Sequence, residues 1–150
     1  MTPAHTALID ALAGTLGPKG IVTDPADIAP WETDWRRRFH GHAPAILAPA
    51  STREVAAVVA AAAAHRVPLV PQGGNSSMVG GATPPADGSA LIVSLRRMNV
   101  IRSIDPGHAV AEAGVILEAL HQAAADTGQR FPLTLGSRGF YWLQLRRPDA

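Results

Sequence analysis

Between Pro71 and Pro84 the sequence reads PQGGNSSMVGGATP, a stretch with no ionisable side chain and four glycines in two pairs, Gly73-Gly74 and Gly80-Gly81. Glycine opens positive φ and lets a ligand approach the main chain. Successive backbone N–H groups turned inward form a concavity that takes an anion. Asn75, Ser76 and Ser77 add side-chain donors, so the chemistry on offer is the cradling of a phosphate or diphosphate. Two common phosphate loops are excluded. The GxxxxGK[ST] loop needs a lysine, and there is none here. The GxGxxG fingerprint opens directly into a helix, whereas Thr83-Pro84-Pro85 follows the second glycine pair, and proline at that position disfavours helix in its predecessor. Main-chain donors must therefore hold the anion without a helix end. The competing reading is a flexible Gly/Ser linker. Against it stand the paired glycines and the direct exit from an apolar strand.

Other constellations offer less. His40-Gly41-His42 would place two rings on one side of an extended chain, with Asp34 as the evident carboxylate, but a surface pair is the simpler reading and no metal site is assigned. Arg36-Arg37-Arg38 is offset by Glu32 and Asp34 and reads as a solvated or ion-paired turn, so nucleic-acid binding is not expected. Trp31, Trp35 and Phe39 recur at i, i+4, i+8 and read as a packing stripe. Arg96, Arg97 and Arg102 read as solvated residues at the edge of a strand pair. Glu112, two residues before Gly114, is either a buried, hydrogen-bonded carboxylate or an exposed edge residue. His121 lies on a helix with no nucleophile near it. No catalytic triad and no catalytic residue are assigned.

The elements that must position the glycine loop follow from periodicity. Residues 4–16 form a helix with Leu8, Leu12 and Leu16 on one side, closed by Gly17-Pro18. Residues 22–44 read as irregular. AILAP (45–49) is a short buried strand. The helix that follows has Ser51 and Glu54 at capping-box spacing and a stripe of Val55, Val58, Val59 and Ala62. PLVP is a short strand, expected to be buried, that runs into the loop. Runs at 90–95, 100–105 and 108–114 are β-like, the last two joined as a hairpin by Asp105-Pro106-Gly107. A final helix carries Ile116, Leu117, Leu120 and Ala124, with Gly128 as its C′ residue. A parallel βαβ-like part followed by an antiparallel part predicts an α+β fold. The chain has 150 residues, 47% of them apolar, a net charge of +1 and no cysteine. That fits one domain or a piece of a larger one, excludes disulfides and thiolate chemistry, and gives no electrostatic push toward nucleic acid or membranes. The longest apolar run, Val55 to Ala64, is too short to span a bilayer. The N-terminus lacks a basic n-region and carries Asp10 within its apolar run, so no signal peptide is read and a cytoplasmic protein is expected.

The segment VPLVPQGGNSSMVGGATP resembles the diphosphate loop of the FAD-binding (PCMH-type) domain of the vanillyl-alcohol oxidase / p-cresol methylhydroxylase superfamily. APAILAPASTREVAAVVAAAAAHR before it, LIVSLRRMNVIRSIDPGHAVAEAGVILEAL after it and GQRFPLTLGSRG further on are similar to the same domain of FAD-linked D-2-hydroxyacid dehydrogenases, those for D-lactate, D-2-hydroxyglutarate and glycolate. The resemblance covers roughly residues 20–139. It implies FAD between a parallel and a mixed or antiparallel subdomain. The implied contacts are Pro71, Gln72, Gly73, Gly74 and Asn75, then Ser76, Ser77, Gly80 and Gly81, and later Pro132 and the Gly136-Ser137-Arg138-Gly139 turn. Some relatives attach FAD through His or Cys. The loop has neither, so non-covalent FAD is expected. Residues 140–150, FYWLQLRRPDA, depart from the family's glycine-rich continuation. Residues 1–139 are accordingly expected to be the N-terminal part of the FAD domain, residues 140–150 an atypical tail, the chain incomplete at its C-terminus, and the substrate (cap) domain absent. In a complete enzyme the family oxidises the CH–OH of a D-2-hydroxy acid, with hydride passing to flavin N5. The alternatives are a non-catalytic flavin-binding module that needs a partner chain or forms a homo-oligomer, and an inert fragment.

Overall fold

The computed structural model describes residues 1–128. The elements run α1 (Pro3–Leu16), β1 (Ile21–Val22), α2 (Pro25–Ile28) with a 3-10 turn at Ala29–Trp31, β2 (Ile46–Leu47), α3 (Thr52–His65), β3 (Leu69–Gln72), β4 (Leu91–Ser94), β5 (Ile101–Asp105), β6 (His108–Ala111) and α4 (Leu117–Asp126). Four strands form one sheet in the order β1-β2-β4-β3, and β5 pairs with β6. β2, β4 and β3 are mutually parallel, while β1 joins β2 antiparallel. The α+β expectation, parallel first and antiparallel after, holds.

Side chains alternate across the sheet as strand geometry requires. Leu47, Leu91 and Val93 meet Leu8, Leu12 and Leu16 of α1 and Val58 and Ala62 of α3 on one face. Ile46 and Ile92 meet Ile28 and Ala43 on the other. β4 is central and buried along its whole length. The helix starts follow the sequence. Ser51 Oγ accepts from Glu54 N at 3.2 Å, and Glu54 Oε2 accepts from Ala50 N at 2.8 Å. Thr2 caps α1 reciprocally with His5, whose Nε2 donates to Ser89 O at 3.1 Å and ties α1 to the approach to β4. The hairpin turns at Gly107, φ +87°, with Asp105 opposite His108.

Several expectations are corrected. PLVP is not a buried strand: β3 is the sheet edge, and Pro71 points outward, the position where a strand tolerates a residue without an N–H. Within 22–44, α2 is an ordered element that the turn-rich composition concealed, and β1, at Ile21–Val22, was not read. Val59 is exposed, because α3 presents only a narrow side to α1 and the sheet. Ile116 and Leu117 of the final stripe are 70% and 51% exposed, with Ala124 buried. Trp31, Trp35 and Phe39 share no helix. The segment after Trp31 folds as a turn closed by a Thr33–His40 bridge, leaving Trp35 and Phe39 exposed. Arg97 is not simply solvated, since its guanidinium donates to Ala48 O at 2.6 Å. Among the described residues, no helix is long and apolar enough to cross a membrane.

Candidate functional site

The glycine loop leaves the end of β3 and is lashed down from beneath. Gln72 is 1% exposed. Its Nε2 donates to Trp31 O at 3.0 Å and to Ala82 O at 2.9 Å, and lies 3.3 Å from Asn75 Oδ1. Asn75 stands in the left-handed region at φ +54°, a conformation asparagine tolerates, and its Nδ2 donates to Thr33 O at 2.8 Å. At the far end Gly80 adopts φ +74° against the Phe39 ring, where a Cβ would lie 3.0 Å from the ring. Both ends of the loop therefore rest on residues 31–39.

That platform depends on Asp34. Its Oδ1 accepts from Arg38 N and Phe39 N, each at 2.7 Å, and Phe39 O accepts from Asp34 N at 3.0 Å. The Phe39 N–H, ahead of the opposing effect of burial and with the Arg38 N–H beside it, holds the Asp34 carboxyl below its ordinary value of 3.8.

Between the lashed ends the main chain is open. Among the described residues, none of the backbone N–H groups from Gly73 to Gly81 donates an internal hydrogen bond. Gly73 and Gly74 have ordinary φ, and a Cβ on either would meet nothing within 4 Å. Neither backbone conformation nor packing requires glycine there, so the bare positions leave room for something outside the chain. They face a cavity of about 510 Å³ with Ser76 beside them.

The opposite wall is the turn from Ala113 to Leu117 together with Arg96 and Asn99. Gly114 fixes it: its N donates to Met98 O at 2.8 Å, and a Cβ there would overlap the Leu95 carbonyl oxygen. Glu112 clasps the same wall. Its Oε2 accepts from Val100 N at 3.1 Å and its Oε1 accepts from Arg102 Nη2 at 3.0 Å. The Val100 N–H first, and the Arg102 guanidinium second, hold the Glu112 carboxyl below its ordinary 4.5. Of the two readings left open for this residue, the carboxylate is hydrogen-bonded as in the first, but the residue is only partly buried. Val115, Ile116 and Leu117 make the wall apolar. Unpaired amides lining one cavity with an apolar wall suit a ligand with an anionic middle and a large flat apolar part.

The structure thus gathers Gly73, Gly74 and Ser76 on the cavity and places the side chains of Gln72 and Asn75 under the loop. Pro71 faces out from β3, and Ser77, Gly80 and Gly81 continue the loop away from the cavity wall. Pro132, Gly136, Ser137, Arg138, Gly139 and the 140–150 segment lie outside the described residues. Arg96, Asn99 and the 113–117 wall were not read as site residues from the sequence. The glycine after a strand at Gly114 was the available signal, since such a glycine marks close backbone approach. His40 and His42 do not face one ligand: His40 Nδ1 bonds the Thr33 hydroxyl, and His42 Nδ1 lies 2.8 Å from Glu32 Oε1.

Comparison with known proteins agrees with this geometry. A family model described as FAD binding domain matches residues 43–140. The D-2-hydroxyglutarate dehydrogenase of Bos taurus, named as mitochondrial, is 38% identical over 124 residues, 81% of this chain and 22% of that protein. Its namesake from Arabidopsis thaliana, also named mitochondrial, is 38% identical over 126 residues, 83% of this chain and 22% of that one. The chain thus spans less than a quarter of the length of these relatives. Substrate-bound p-cresol methylhydroxylase superposes with a TM-score of 0.73 over 85% of this chain and 26% of that one, at 19% identity, a likeness of fold. The mitochondrial names overturn the cytoplasmic expectation. Absence of cysteine and a small net charge suit any reducing compartment and cannot tell the two apart.

Proposed function

The chain belongs to the FAD binding domain family, and on that premise we propose that it is the FAD-binding portion of a flavin-dependent oxidoreductase that acts on the CH–OH group of a D-2-hydroxy acid. The proposed FAD domain includes residues 1–139. The observation that carries the reading is the run of unpaired amides from Gly73 to Gly81 beside open space at Gly73 and Gly74. In this reading the amides at the cavity end of that run, Gly73 to Ser76, and the Ser76 hydroxyl hold the diphosphate, while Val115, Ile116 and Leu117 offer apolar surface to a ring and exclude water. FAD is held non-covalently, the loop having no His or Cys. Bound FAD supplies the hydride acceptor. Gln72, Asn75 and Asp34 shape the loop and do not touch the reacting atoms. Among the described residues, the cavity wall carries no carboxylate, imidazole or amine. The part assigned to these residues is therefore binding and orientation, and no proton transfer is given to them. The relatives named for D-2-hydroxyglutarate support the hydroxy-acid class.

The test is a titration of the chain with FAD, followed by flavin absorbance and fluorescence, alongside Gly74→Val. A valine at that open position should leave the fold intact and block approach to the amides. The expected result is one FAD per chain for the natural sequence and a loss of about tenfold or more in affinity for the variant, the equivalent of one good charge-assisted hydrogen bond. Retained affinity in a folded Gly74→Val variant would remove the cradle.

A further inference from the structure

We propose that Arg96 is the charge partner of the cofactor's diphosphate in this chain, presented to the cavity on a Trp31 platform; the proposal rests on the reading that the cavity takes FAD. Arg96 is the one ionisable side chain on the cavity wall among the described residues. Every other polar group there is a neutral hydroxyl, amide or main-chain donor, so the cradle as such supplies dipoles and no full charge. The guanidinium does not swing freely. Its Cζ sits 3.7 Å from the centre of the Trp31 ring, and its Nε lies 3.4 Å from Ser94 Oγ. Ser94 is buried at the end of β4, and Trp31 is packed against the second core.

Stacking on an aromatic face restrains the plane of a guanidinium but leaves its edge donors available. No carboxylate among the described residues forms an ion pair with Arg96, whereas Arg102 is neutralised by Glu112. Arg96 lines this cavity and also an adjoining one of about 290 Å³ that it shares with Trp31, Ser94 and Asp27, with which it forms no ion pair, so a restrained cation stands on the wall beside a loop whose amides have no internal partner. A lysine here would be a point charge on a flexible stem. The planar fork instead matches two phosphate oxygens at once.

The test uses Arg96→Gln and Arg96→Lys in the full chain, each checked for native circular dichroism and melting temperature. FAD, ADP and riboflavin serve as probes at two salt concentrations. The expected result is that Arg96→Gln weakens FAD and ADP by about tenfold or more, as loss of a charged hydrogen bond does, with a shallower salt dependence. Riboflavin, which lacks the diphosphate, should bind as before. Arg96→Lys should restore the salt dependence and only part of the affinity. FAD and ADP binding unchanged in Arg96→Gln, or riboflavin weakened as much as FAD, would overturn the proposal and leave the stack a structural one. Failure of the natural sequence to bind either FAD or ADP would instead overturn the FAD reading itself.

Discussion

Asp34 controls a loop forty residues further along the chain. Its carboxylate holds the turn from Arg36 to Phe39, which carries the Phe39 ring under Gly80, and Thr33, bridged to His40 across that turn, offers its carbonyl to Asn75. Because the folded-state pKa lies below the ordinary value of 3.8, the unfolded chain takes up its proton first as pH falls. The stabilisation is thus fully present above that value and is lost as pH drops through the lowered folded one. Asp34→Ala should therefore lie furthest below the natural chain in urea midpoint near neutral pH, and the gap should close progressively below about pH 4. A gap constant from neutral to acid pH would show that the carboxylate's charge does not hold the turn. At this scale the sequence revealed residue types but not directions. The glycine pairs announced open backbone. Gln72 and Asn75 looked equally available to a ligand, yet their amides bond carbonyls at Trp31, Ala82 and Thr33. Arg96 looked solvated because nothing in its neighbourhood of sequence named Trp31 as its platform.

Among the elements, two amphipathic helices of similar appearance serve different ends. α1 drives Leu8, Leu12 and Leu16 into the core beside α3. α4 begins at the cavity, with Ile116 and Leu117 exposed on its wall and Ala124 alone fully buried. Leu8→Ala should cost about 2–5 kcal/mol, the usual range for emptying a packed leucine site, read from denaturant unfolding. Leu117→Ser should stay within about 0.5 kcal/mol of the natural chain, as surface changes do, while weakening FAD. If Leu117→Ser unfolds the chain, α4 is core and the wall is not a ligand surface. The period of 3.6 was legible in both helices and so were their caps. What each stripe faces was not, because a periodic pattern marks an apolar side without naming what covers it. The same limit hid the edge position of β3: β4, arriving twenty residues later, inserts between β2 and β3. Pro71 was the one residue that pointed to an edge.

For the molecule as a whole, parallel strands β3 and β4 end together on the side where the glycine loop, Arg96 and the 113–117 wall converge. Open parallel sheets bind ligands beyond the carboxyl ends of their strands, and this arrangement uses that end with a bare loop in place of a helix terminus. The family was legible because several separated blocks recur in order, and the matched residues 43–140 cover most of the 20–139 span that the resemblance marked. Compartment was not legible, since nothing in the packing of a flavin domain depends on the compartment around it. The central claim is that the amides from Gly73 to Gly81 bind the diphosphate. Amide hydrogen exchange on the full chain, with and without saturating FAD, reads those groups one by one. The expected result is slowed exchange in the glycine loop, greatest at its cavity end from Gly73 to Ser76, with smaller changes at Ala113–Leu117. Saturation by FAD with exchange in the glycine loop unchanged would contradict it.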